Sequence, residues 1–177
     1  MGTSDPPWKG PNFARYCHMR LLLVLFILRA GTLHAQWIPD GVLGNIPKVN
    51  DPAHAGPDFA KGAYEQGGKY VIYTCDSCLA AVDKAHPDAS HFLLVRAYTY
   101  RAMNADGEEA GDVWAASAIT QAPNAVHYLN AILNYFAASK DPHAAKRHER
   151  IRSAAVEIAR LAGLTMKWNE AEKRFTE

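Results

Sequence analysis

Two cysteines stand three residues apart in the run Thr74-Cys75-Asp76-Ser77-Cys78-Leu79. Two chemistries fit that spacing. In an oxidising compartment the pair closes a local disulfide, and so small a loop would pin a helix start more than stabilise a fold. At a helix N-terminus, Cys75 would instead be a nucleophile and Cys78 its resolving thiol, because the helix dipole and free N–H groups favour the thiolate. Haem attachment needs His directly after the second cysteine, where Leu79 stands. Zinc needs two further ligands, which His86 or His91 would supply only by a coincidence of folding. No cofactor and no metal are expected.

Tyr70-Val71-Ile72-Tyr73, just upstream, has strand-like composition. A strand, a Cys-x-x-Cys and a helix in succession resemble the start of a thioredoxin-type unit. Such a fold needs further strands facing the cysteines, and beyond residue 80 every long segment reads as Ala-rich helix. A structural Cys75–Cys78 disulfide is the first expectation, and a thiol–disulfide oxidoreductase the alternative.

The other chemistry-bearing residues are histidines, eight in all and scattered. His91 and His127 stand apart because they belong to an internal echo. Pro87-Asp88-Ala89-Ser90-His91-Phe92-Leu93 returns 36 residues later as Pro123-Asn124-Ala125-Val126-His127-Tyr128-Leu129. A period of that length in an Ala-rich chain marks stacked helical hairpins, none of which buries its apolar face alone.

The elements carrying the echo follow from periodicity and breakers. A helix over 90–103 puts Phe92, Leu93, Val95, Ala97, Tyr100 and Ala102 on one broad face, and Asn104-Ala105-Asp106-Gly107 ends it. A second helix runs over 108–121. Pro123 opens a third over 124–139, and Pro142 a fourth to about Ala162, stopped by Gly163. A tail helix over 165–175 would lay Trp168 and Phe175 across the last hairpin as a cap.

Segment 87–159 resembles tetratricopeptide repeats, helix pairs with small residues where the helices cross. The small residue of the first helix falls on Ala97 and Leu133, its aromatic on Tyr100 and Phe136, and the small residue of the second helix on Ala118 and Ala154. Arg96 departs from the pattern, in a slot that family usually fills with Leu. The resemblance implies an all-α fold of two to three stacked antiparallel hairpins with a C-terminal capping helix. It also implies a concave binding groove lined by His91, Leu94, Tyr98, Arg101, His127, Asn130 and Asn134. Asn and Arg there suit a peptide backbone or carboxylate. The bland alternative is that each histidine caps its own helix start.

Residues 1–35 have the form of an export signal: Arg15 and Arg20, then the apolar run Leu21–Leu28, then Ala35. Met19 is a second possible start. Eight apolar residues span about 12 Å as a helix, too little for a bilayer core of about 30 Å. Removing 1–35 would leave 15 basic and 17 acidic residues, a balance that asks for neither nucleic acid nor anionic lipid. Lys146, Arg147, Arg150 and Arg152 read as a solvated helix face. Residues 36–58, with four prolines, read as an extended arm ahead of a helical domain over 59–177. No Gly-rich phosphate loop or other catalytic constellation is present. The expectation is a periplasmic or secreted non-enzymatic scaffold for a protein or peptide partner, such as an accessory subunit of an envelope complex.

Overall fold

A small sheet precedes the helices. Its strands are β1 (Lys48–Asn50), β2 (Ala60–Tyr64) and β3 (Tyr70–Thr74), in the order β1-β3-β2. β1 runs parallel to β3, and β2 antiparallel to it. Central β3 carries Val71 and Ile72, at most 1% exposed, and β-branched side chains suit a pleated surface covered on both faces. Gly67 and Gly68 turn the β2–β3 hairpin at φ 93° and 78°, which glycine adopts without steric penalty. Glu65 N–H donates to Lys69 C=O at 2.9 Å to close it. β2 lies against a helix through Gly62, where a Cβ would collide with Tyr70 Oη and the Ala97 carbonyl.

The computed structural model describes residue 43, residues 45–102 and residues 108–177, with the side chains of all but 100–102 and 108. These residues belong to one unit, Trp37–Glu177. The expected export signal, the side chain of Arg101 and the turn at 104–107 lie outside the described residues. Within the Pro-rich stretch, β1 pairs with β3, while Leu43 and Ala55 are buried.

Five helices follow among the described residues: α1 (Asp76–Ala85), α2 (Ala89–Ala102), α3 (Glu108–Thr120), α4 (Ala125–Ala138) and α5 (Ala144–Ala162). Gly163 ends α5 at φ 65°, its N–H turned back to the carbonyls of Ala159 and Arg160. α2 packs on α3 and α4 on α5, while α2 also meets α4 and α3 meets α5. The starts of α2 and α4 lie 36 residues apart, as do their ends and the starts of α3 and α5. The core fills the space between these layers with Phe92, Leu93, Ile119, Leu129, Ile132 and Ile151, all at most 1% exposed.

The all-α expectation is overturned. The architecture is mixed α/β, with the three-stranded sheet ahead of the helices and a second, two-stranded sheet behind them. That second sheet replaces the expected capping helix: β4 (Lys167–Asn169) pairs antiparallel with β5 (Arg174–Thr176). Trp168 and Phe175 are seven residues apart, so a helix would also put them on one face; here they are direct cross-strand partners with rings 5.1 Å apart. Asn169 decides between the two. Its side-chain oxygen accepts from the N–H groups of Ala171 and Glu172 at 3.0 and 3.1 Å, making a turn where a helix would need to continue. Lys173, at φ 51°, completes the reversal.

Candidate functional site

The cysteine pair sits where β3 meets α1, with Cys75 as the helix N-cap. Four hydrogen bonds hold this junction without help from sulfur. Asp51 N–H donates to Thr74 C=O at 2.8 Å, Cys75 N–H to Phe59 C=O at 2.9 Å, and Leu79 N–H to Cys75 C=O at 2.9 Å. Asp76 N–H donates to Asn50 Oδ1 at 3.2 Å. Cys75 and Cys78 are disulfide-bonded, with Cα atoms 5.2 Å apart. Closing so short a loop restricts the unfolded chain by about 2 kcal/mol. The surrounding hydrogen bonds, at about 1 kcal/mol each, together outweigh that. The strand–Cys-x-x-Cys–helix order is therefore present, but accessibility runs against the expected roles. Cys75 is 4% exposed, while Cys78 is only half-buried.

The residues expected to line a groove do not share one environment. His91 stacks on Tyr128, rings 4.2 Å apart and 19° from parallel, joining α2 to α4. His127 stands edge-on to the same tyrosine and places Nε2 2.7 Å from Asp88 Oδ2, so it ties the start of α2 and does not cap its own helix. Leu94 is half-buried, and so is Tyr98, whose ring meets Tyr70 edge-on and whose carbonyl accepts from Tyr70 Oη at 3.1 Å. Asn134 is exposed. Asn130 is turned to the C-terminal hairpin: its carboxamide donates to Phe175 C=O at 2.9 Å and accepts from Phe175 N–H at 2.7 Å. Asn130 thus continues the β5 ladder with a side chain.

A buried ionic cluster was missed entirely. Asp112 on α3 is fully buried. Its carboxylate accepts from Arg96 on α2 at 2.8 Å, and on α5 from Arg147 at 2.9 Å and Arg150 at 2.8 Å. Asp58, in the loop before β2, takes a second bond from Arg96 at 2.6 Å and another from Arg147. Arg150 also reaches Glu109 at 2.9 Å. Three guanidiniums thus meet three carboxylates, which is the condition for burying charge at tolerable expense. Burial works against the Arg147 charge, yet its bonds to Asp112 and the charges of Asp112 and Asp58 hold its pKa above the ordinary guanidinium value. Burial and the Asp58 charge push the nearby Tyr135 phenol up. The solvated-face expectation for 146–152 is corrected at Arg147, which is 7% exposed with its guanidinium 4.5 Å above the Phe136 ring. The legible signal was a charge inside an apolar stripe: Arg147 precedes Ile151, Ala155 and Ile158 at helical spacing.

A cleft of about 240 Å³ opens beside this cluster, between Ala55–Asp58, Lys61, Gly62 and Arg96. Of its charged walls Asp58, Lys61 and Arg96, Asp58 and Arg96 are bonded to each other, and its volume is below that of typical ligand sites. Among the described residues no group of three or more His, Cys, Asp or Glu side chains could hold a metal ion, and no helix is long and apolar enough to cross a membrane. Compared with protein-family models, with curated proteins and with solved structures, the chain gave no match.

Proposed function

We propose that this chain is an exported helical-repeat scaffold that binds a protein or peptide partner, as an adaptor or accessory subunit of an envelope complex. One observation carries the proposal: α2–α3 and α4–α5 are hairpins set out at the same 36-residue offset, first helix against first helix and second against second. Equivalent helices stacked this way support the tetratricopeptide-like reading, and such stacks present extended surfaces to partners. The partner-facing candidates are the exposed His127 and Asn134 beside half-buried His91 and Leu94. Asn130 is engaged by the chain's own β5.

A second reading, thiol–disulfide catalysis with Cys75 as nucleophile, draws support from the β3–Cys-x-x-Cys–α1 order. Burial of Cys75 opposes it, since reactive cysteines sit in partly exposed surroundings.

The test is a native pull-down of the tagged chain from an envelope fraction, read by mass spectrometry with cross-link mapping. A stoichiometric partner cross-linked near His127 and Asn134, and lost in the His127→Ala/Asn134→Ala double variant, is expected. A clean monomer, or cross-links confined to other faces, would count against the scaffold.

A further inference from the structure

We propose that the Cys75–Cys78 bond is an exchange site for an external thiol, attacked at Cys78 with Cys75 as the leaving sulfur. This goes beyond the scaffold function and inverts the order usually assigned to a Cys-x-x-Cys at a helix start.

Three observations lead there. The bond is dispensable for the local fold, because backbone bonds to Phe59 and Leu79 and the Asn50 side chain hold the β3–α1 junction on their own. A disulfide that the fold does not need can open and close reversibly. Access is also unequal: Cys75 is 4% exposed, its N–H bonded to Phe59 C=O, whereas Cys78 on α1 is half-buried. An incoming thiolate needs a collinear approach to the sulfur it attacks, and Cys78 is the less buried member of the pair. Finally, Cys75 is the N-cap of a ten-residue helix, and its own side chain makes no capping hydrogen bond, while Asn50 takes only the Asp76 N–H. That is where Ser, Thr or Asp would accept from the free N–H groups of the first turn. A thiolate released at Cys75 takes that place, which makes it the better leaving group of the two.

The step balances as follows. A thiolate of a dithiol reductant, small or protein-borne, attacks Cys78 Sγ and forms a mixed disulfide, and the Sγ–Sγ bond breaks with its electron pair going to Cys75. The reductant's second thiolate then attacks its own sulfur of the mixed disulfide and expels the Cys78 thiolate. The reductant leaves oxidised by two electrons, and Cys75 and Cys78 are left reduced. Cys75 thiolate returning to Cys78 before that second step simply expels the reductant unchanged.

The experiment uses the full chain carrying Cys17→Ser, so that only this pair reports. Reduced glutathione, as a monothiol probe, is applied in excess, quenched with acid and followed by alkylation and peptide mass mapping. The adduct is expected on Cys78, with the alkyl group on Cys75. In the single variants, Cys75→Ser should react with Ellman's reagent at least about tenfold faster than Cys78→Ser, because only the first leaves the accessible thiol. Reduction of the intact pair with dithiothreitol should leave the far-ultraviolet circular dichroism unchanged. An adduct on Cys75, equal or reversed rates, a bond that resists both thiols, or loss of helix on reduction would each overturn the proposal. The adduct map on the intact chain stands even where a single variant fails to fold.

Discussion

At the residue scale, Asp112 is fully buried and receives hydrogen bonds from three arginines on two helices. Removing it would leave those guanidiniums without their shared counter-charge, and a broken buried pair costs about 3–5 kcal/mol. That approaches the whole stability of many domains, about 5–15 kcal/mol. Asp112→Ala should therefore lower the urea midpoint severely or abolish folding, whereas the exposed Glu109, also bonded to Arg150, should be replaceable by Gln at under about 1 kcal/mol. His148 tests a smaller effect. It is half-buried near Trp168, with Glu149 and Arg152 as its charged neighbours, and burial holds its pKa below the ordinary 6.5. The unfolded chain therefore binds this proton more readily, so stability is lost as pH falls through the unfolded value toward the lowered folded one. Between roughly pH 7.5 and 5.5 the fall in thermal midpoint should be shallower in His148→Gln than in the parent chain. Of these residues, Arg96 was visible as a departure from the tetratricopeptide pattern that its segment resembles, but its partners 38 residues before and 16 after were not. Ion-pair partners come from tertiary proximity, which no local period encodes.

At the element scale, α2 to α5 were legible, and of the strands only β3 was, through the composition of Tyr70-Val71-Ile72-Tyr73. Helical spacing, Pro123, Pro142 and Gly163 placed four helices close to where they lie. β2 reads Ala-Lys-Gly-Ala-Tyr, a composition without strand preference, and it is a strand because β3 supplies its ladder and α2 its cover. Gly62 is the point of closest approach. Gly62→Ala should destabilise by about 1–3 kcal/mol through overpacking against Tyr70 and the α2 backbone, measurable by equilibrium unfolding. The C-terminal hairpin has a comparable anchor. Asn130→Ala removes the side-chain partner of both the N–H and C=O of buried Phe175, at about 1–3 kcal/mol, and should lower the unfolding midpoint accordingly.

At the scale of the whole molecule, the ionic cluster joins the loop before β2 to α2, α3 and α5, so sheet and helices are fastened through Asp58. Unfolding should accordingly be a single transition, with circular dichroism and tryptophan fluorescence superimposing; two separated transitions would mean that the sheet and the hairpins melt independently. The one-dimensional pattern of the chain carried the 36-residue offset of the helices, because helical periodicity and breakers act within a few residues. It also determined the strand–Cys-x-x-Cys–helix order. Packing alone made strands of short segments of weak preference, gave Asn130 to β5, brought Arg96 and Arg147 to two shared aspartates, and left Cys78 less buried than Cys75. Each of those depends on which distant surface covers a residue, and burial is a property of the packed chain.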